Sequence, residues 1–346
     1  MISIECFKGM PIAYEYFLLE RYNSFITTCR YIEVYYSTYN INYMLVNEDG
    51  KLIEILIFGI RGKTSICLNS LVSLDQNIIV EFTKIIFEQN PGIKKIIIDA
   101  SYKNYLLNKS ILFFKSDDQV LNLASSIDDY YLQLGSKTRK HIKSRNAKLL
   151  AEFSKVNFVV KYGDEIDEHI INIIIQFNHY RMRNKGKTSG IDDNYKSNIY
   201  KYSQYYGCVV YLELDGVIVA GCISTIINKE IYLHVIAHDN KFSKYNVGEI
   251  CAFYLIQTSI ENKMSKFHFL WGESEMKRRF LAKSHLLFSY SIYRSHSLDF
   301  FYNKVKVKVV NCFGSIKYSK TLSPIIKALI KYKKNLNKYL KSVSSK

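Results

Sequence analysis

The chain has little of what punctuates or cross-links most proteins. It holds only three prolines in 346 residues, which excludes a proline-rich linker or extended stalk. Its seven cysteines, Cys6, Cys29, Cys67, Cys208, Cys222, Cys251 and Cys312, have no paired spacing and sit mostly in apolar runs. They read as reduced, buried small hydrophobes rather than a disulfide framework. No apolar run approaches the roughly 20 residues that span a bilayer, and no leader pattern of charged start, apolar centre and small-residue cleavage site follows Met1. A cytoplasmic protein is expected. Two phosphate-loop lookalikes, Gly62-Lys63-Thr64 and Gly186-Lys187-Thr188, fail because the required upstream glycine is Ile57 in one and Arg181 in the other. His234 and His238 share an expected strand but stand roughly 13 Å apart at about 3.3 Å per residue, too far for one ion. No metal is expected.

Acidic residues are missing from one stretch in particular. From Phe300 to Lys346 there are twelve lysines and no Asp or Glu, so this tail carries +12 of the net +17 and leaves the body mildly basic. After Pro324 it sets Ile325, Ile326, Leu329, Ile330, Leu336, Tyr339, Leu340 and Val343 among seven lysines. That pattern suits an amphipathic helix on an anionic membrane, and equally a helix packed on the body with a lysine-covered outer face.

What is present is an apolar content of 48%, enough for a folded chain of two ordinary domains or one large α/β unit with two similar halves. The first half predicts a helix at 12–28, strands at 41–46, 53–60 and 65–68 separated by Asp49-Gly50 and Arg61-Gly62, a helix at 78–89 and a strand at 95–98. The second half predicts helices at 128–153, 166–182 and 194–206. A meander follows at 208–214, 217–227 and 231–237, turning at Asp215-Gly216 and Asn228-Lys229. A one-face pattern of Val247, Ile250, Cys251, Tyr254, Leu255 and Thr258 then predicts a helix, and 267–271 and 286–293 predict strands.

The chemistry concentrates after the strand at 267–271, in the segment Gly-Glu-Ser-Glu-Met-Lys-Arg-Arg-Phe at 272–280. A strand that stops at a glycine followed by packed acids and bases reads as a site. This order of strand, small-residue turn, helix, strand and polar turn resembles the GNAT-like acyltransferases of the CelD/BcsL type, relatives of the Fem transferases. Gly272, Lys277 and Phe280 keep their late motif, with Met276 where that family usually has tyrosine. The resemblance runs from about residue 41 to 294 and is most specific over 129–280.

It implies an α/β (α+β) fold of two tandem GNAT-like modules, each a mostly antiparallel mixed sheet flanked by helices. The expected division is an abbreviated module at 1–125, an acyltransferase module at 126–300 and the basic tail at 301–346. It also implies an acyl-CoA donor, acetyl-CoA first, whose pyrophosphate meets backbone amides at Tyr245, Asn246, Val247, Gly248 and Glu249; the plain alternative is an ordinary helix cap by Asn246. Glu273, Glu275 and His238 are the candidate acid–base residues. Lys277, Gly272 and Arg181 are the candidate substrate contacts, with an i,i+4 pair of Glu273 and Lys277 as the alternative. The implied acceptor is an amino sugar or lipid-linked glycan of the cell envelope, met at the inner membrane face. The basic run Lys137, Arg139, Lys140, His141, Lys143, Arg145 and Lys148, with Tyr130 and Tyr131 before it, borders an anionic donor or is a solvated face. An aminoacyl-tRNA donor, as in Fem-type enzymes, and a non-catalytic envelope-associated protein of the same fold are the alternative readings.

Overall fold

The computed structural model describes residues 2–295 together with 300, 301, 303–305 and 307. Met1–Ile292 make one compact unit and Tyr293–Lys346 a second; the expected amphipathic segment after Pro324 lies outside the described residues. The first half of the chain supplies β1 (Ile2–Lys8), α1 (Glu15–Tyr22), α2 (Cys29–Tyr35), β2 (Asn40–Glu48), β3 (Lys51–Arg61), β4 (Thr64–Cys67), α3 (Gln76–Gln89), β5 (Lys95–Ser101) and β6 (Ser110–Asn122). Next come α4 (Ile127–Gln133), α5 (Ser136–Glu152), β7 (Val156–Tyr162), α6 (Glu168–Asn184), α7 (Asp193–Tyr206), β8 (Gly207–Leu214) and β9 (Val217–Ile227). The chain continues through β10 (Glu230–His238), α8 (Val247–Glu261), β11 (Lys266–Trp271), α9 (Glu275–Arg279) and β12 (Lys283–Tyr293).

All twelve strands join one sheet in the order β1-β2-β3-β4-β5-β12-β6-β11-β10-β9-β8-β7. Most neighbours run antiparallel, while β4 with β5 and β10 with β11 are parallel. Each parallel pair needs a crossover helix, supplied by α3 in one half and α8 in the other. The two halves exchange their last strands. β6 follows β5 in sequence but pairs with β11, and β12 follows β11 but lies beside β5. The β6–β12 pairing, from Lys283↔Val120 to Ile292↔Ser110, stitches the middle of the sheet.

α8 is apolar nearly all round, with Cys251, Ala252, Leu255 and Ile256 fully buried, as a helix packed on every side must be. Full burial of one Leu or Ile side chain contributes about 1.5–3 kcal/mol, so Leu255→Asp would break this half. α6 covers the other face through Ile171 and Ile174, against Ile223 and Val235. α3 buries Ile79, Phe82 and Ile86 in the first half's own core.

Two expected helices are interrupted. That over 12–28 stops at Asn23, which turns left-handed at φ 51°, and Ser24 restarts the chain by accepting from the Ile26 N–H. That over 128–153 is split because Leu134 and Gly135 are both extended, at ψ 142° and 143°, and Leu134 is buried. Five cysteines are buried as expected, but Cys6 is exposed on β1.

Candidate functional site

β10 and β11 pair only from Glu230↔Lys266 to Tyr232↔His268. Beyond that point they part, and from Leu233 to His238 β10 is paired with β9 alone. The result is a fork in the sheet whose open side leaves part of one strand edge without a strand partner.

Two devices hold the fork. At its base the rings of Tyr232 and His268 stack at 4.3 Å. His268 Nδ1 lies 2.6 Å from Asp118 Oδ2 and its Nε2 3.0 Å from Glu230 Oε2. Tyr102 donates to Asp118 at 2.8 Å and Lys266 to Glu230 at 2.7 Å. Burial alone would lower the His268 pKa, but its bonds to the two carboxylates prevail and raise it. Burial would likewise raise Glu230, yet His268 and Lys266 bring it down to about 2. This cluster floors a trough of about 880 Å³ over the middle of the sheet.

The second device is Lys277. Leu270 and Gly272 both take positive φ, 55° and 79°, which curls the end of β11 and turns successive carbonyls to one point. Lys277 Nζ donates there to the oxygens of Phe269, Leu270, Trp271 and Gly272 at 3.0, 3.1, 2.9 and 2.7 Å. Burial lowers its pKa, against the opposing pull of Asp118 and Asp117. An i,i+4 pair with Glu273 is not what forms. Glu273 is exposed and pairs with Arg278 at 3.2 Å, and Glu275 is exposed in the first turn of α9.

Between β10 and α8 the chain makes a short 3-10 turn, Asn240–Tyr245, capped by Asp239. Asn246 then turns left-handed at φ 56°, and no side chain caps α8. Asn246 does not serve as the ordinary side-chain cap: its backbone is left-handed and its Nδ2 lies 3.0 Å from His141 Nε2 on α5, while its carbonyl accepts from the Glu249 and Ile250 N–H groups. Tyr245 is buried with its hydroxyl on Glu152, and Val247 is buried. Gly248 lies against His238, where a Cβ would meet Nδ1 at 2.8 Å. Burial lowers the His238 pKa, and the Arg181 charge adds to the effect. Arg181 is itself half-buried and its Nε has no partner among the described residues.

Glu249 joins the two segments picked out from sequence. Its Oε2 accepts from Arg279 Nη2 at 2.6 Å, and its Oε1 is 3.9 Å from His141. The start of α8 and the 272–280 segment are therefore neighbours at the open end of the fork.

Sequence reasoning passed over His234, set aside there as half of a metal pair. Its Nε2 lies 2.7 Å from Thr225 Oγ1 and its ring meets Phe25 edge-on at 4.8 Å. It also missed Asp118, Glu230 and His268. The one signal available was a histidine alternating into the apolar strand at 267–271.

Residues 136–278 match the family model described as an acetyltransferase (GNAT) domain. No curated protein matches the chain. Among solved structures, FemX is similar with a TM-score of 0.61 at 11% identity, over 84% of this chain and 97% of that one. A conserved protein of unknown function from Bacteroides thetaiotaomicron is similar with a TM-score of 0.56 at 11% identity, over 85% and 100%. The chain has a GNAT-like mixed α/β fold, a large and mostly antiparallel sheet flanked by helices, and residues 136–278 within it are similar to the GNAT domain. Among the described residues no cluster fit to hold a metal ion occurs, and no helix is long and apolar enough to cross a membrane.

Proposed function

We propose that the protein is an N-acyltransferase that takes an acyl group, acetyl first, from CoA and passes it to the amine of an amino sugar or lipid-linked glycan of the cell envelope. The observation that carries this reading is the open fork of β10 and β11 with the uncapped start of α8 at its mouth. The Val247 and Gly248 amides and the positive end of a helix dipole suit a pyrophosphate, while the Asn246 and Glu249 N–H groups are taken up by Ser243 O and Asn246 O, and Gly248 lets backbone come close at the residue where a side chain would strike His238. Arg181, with its unsatisfied Nε near His238, supplies the positive charge. The acyl group then lies along the unpaired edge of β10, where the curled end of β11 keeps the strands apart. Glu273 and Glu275, on the exposed segment past β11, are left to orient an incoming ammonium.

The acceptor class follows from the resemblance to envelope acyltransferases, and the lysine-rich tail would bring the enzyme to an anionic inner membrane face. Incubation with labelled acetyl-CoA and a panel of amino sugars, read by mass spectrometry, tests the proposal. Acetylated product is the expected result; no transfer from any acyl-CoA overturns it.

A second reading, an aminoacyl-tRNA donor, is favoured by one feature. Lys137, Lys140 and Lys143 stand exposed along α5, the first two at the helix start, where the dipole disfavours cations. Loss of activity on ribonuclease treatment would select this donor over CoA.

A further inference from the structure

We propose that His234 is the catalytic residue that takes the proton from the acceptor amine, and that the amine reaches it through a pocket walled by tyrosines. The inference rests on the N-acyltransferase reading above and adds to it the base and the acceptor's point of entry.

His234 sits in the β-bulge of β10, where the register with β9 shifts between Leu233 and Val235. It comes two residues after Tyr232, the last residue paired with β11, and so stands just inside the fork. A bulge re-aims a side chain that plain alternation would place elsewhere. The ring lines a small, partly open cavity of about 80 Å³ whose walls include Tyr31, Tyr35, Tyr195, Tyr202 and, at the end of β11, Trp271. That is space for two or three waters at about 30 Å³ each, or for one aminomethine group of a substrate.

Orientation and charge fit the role. Thr225 Oγ1 holds Nε2, while no protein group among the described residues bonds Nδ1. With Nε2–H donating to the threonine, Nδ1 presents its lone pair to the cavity. Burial keeps the ring unprotonated by pushing its pKa down to about 4, so it is a weaker base than free imidazole and takes the proton in passing, handing it on to the thiolate rather than holding it. Among the described residues the walls carry no carboxylate, lysine or arginine, and burial raises the pKa of Tyr31, Tyr35 and Tyr202, so these hydroxyls also stay neutral. An ammonium entering here would find no counter-charge. The pocket therefore selects an amine in its neutral, nucleophilic form. Trp271, 48% exposed, offers a flat apolar face to the ring of an aminopyranose.

The step balances as follows. The amine nitrogen attacks the thioester carbon, the new C–N bond forms, and the proton leaving nitrogen passes to Nδ1. Collapse of the tetrahedral intermediate breaks the C–S bond, and the departing thiolate takes that proton to leave as free CoA thiol.

The test uses the full chain with acetyl-CoA and glucosamine. His234→Gln should lower kcat by about 100-fold or more, the range of general-base catalysis, with the KM for acetyl-CoA within about threefold of wild type. His234→Ala should recover part of the loss when imidazole is added, and Thr225→Val should lower kcat with an intact fold. A His234→Gln enzyme that keeps kcat within about threefold, or a loss confined to KM, overturns the assignment while leaving the acyltransferase reading intact. Should wild type transfer nothing, that reading fails on its own, and ring nitrogen resonances of labelled histidine decide the pocket. Glucosamine should move the His234 signals and N-acetylglucosamine should not; no response to any amine overturns the pocket as well.

Discussion

The two halves of the sheet contain the same parallel pair built to opposite ends. β4/β5 and β10/β11 begin alike, since Lys95 N–H reaches the Lys63 carbonyl at 3.4 Å and Lys266 N–H reaches the Lys229 carbonyl at 3.4 Å. They finish differently. Past β4 the loop stays tied to β5, through Leu71 N–H to Ala100 O at 2.8 Å and Tyr102 N–H to Val72 O at 3.1 Å. Asn69 pins the same loop to β3, accepting from Ile57 N–H at 2.7 Å and donating to Ile55 O at 2.8 Å. α3 then starts on Asp75, whose carboxylate accepts from Asn77 N–H. In the second half, among the described residues, no such ties to β11 follow Tyr232↔His268; the loop is held to β9 instead, by Asp239 N–H to Val219 O at 2.9 Å, and α8 starts without a side-chain cap. A carboxylate at the helix start disfavours an anion there, and α8 begins without one at the position that Asp75 holds before α3. The same topology thus gives a closed fork in one half and an open one in the other, and the difference lies in a few side chains.

The largest effect expected from breaking this contrast is at Lys277. Lys277→Met leaves four convergent carbonyls without their donor, so the end of β11 should relax and the fork narrow. Misplacing reacting groups by about 1 Å costs on the order of 100-fold, and acetyl transfer by the variant should fall at least that far. The matched change in the closed fork, Asn69→Ala, removes two buried bonds to β3 backbone and a weak one from the Cys67 thiol. It should cost about 1–3 kcal/mol in urea unfolding while transfer stays within about twofold of wild type. The opposite ranking of the two variants in activity would show that the chemistry does not depend on the open fork.

The base of the open fork gives the next effect, in stability. His268→Ala leaves Asp118 and Glu230 facing each other with one buried cation gone, and breaking a buried pair costs about 3–5 kcal/mol. Its pH dependence has a definite sign. Glu230 is depressed from 4.5 to about 2, so its contribution is present above about pH 4.5 and disappears as pH falls toward 2. His268 is raised above 6.5, so its contribution is full below that value and is lost as pH climbs through the folded pKa. Thermal melts of wild type should therefore show the network's greatest support between about pH 4.5 and 6.5. The His268→Ala variant should show a flatter profile, and identical profiles would remove the network from the stability of the fork.

Much of the frame was readable without coordinates, and the reasons are local. The meander β8–β10 announces itself through turn residues, Asp215-Gly216 and Asn228-Lys229, between β-rich runs. α8 stands out by its apolar pattern. What stayed hidden depends on contacts far apart in sequence. β1 and β7 are exposed or half-buried strands at the two sheet edges, without a strong alternation. The exchange of β6 and β12 pairs residues some 170 positions apart, as in His285↔Asp118, and no window along the chain carries that. Picking out 245–249 and 272–280, which Arg279 and Glu249 bring together, needed only motif order. Learning that Lys277 clasps carbonyls, or that His234 rather than a terminal acid lies inside the fork, needed the bulge and the positive φ of Leu270, which no residue type at those positions announces.

The smallest effect is the most direct exchange between the two halves. Asn246→Asp puts at the start of α8 the carboxylate that α3 already has in Asp75. If donor pyrophosphate meets those amides, a negative charge there should cost about 1.4 kcal/mol, a tenfold weaker Kd for CoA by calorimetry, with stability nearly unchanged. Asp75→Ala should show the reverse, a loss of about 1 kcal/mol of stability from the missing cap and unaltered CoA affinity. The pair separates cap from ligand site because each residue starts a crossover helix at the same place in its half. An Asn246→Asp variant that binds CoA as wild type does would mean that no anion rests at α8, and the open fork would then need a donor held by other groups.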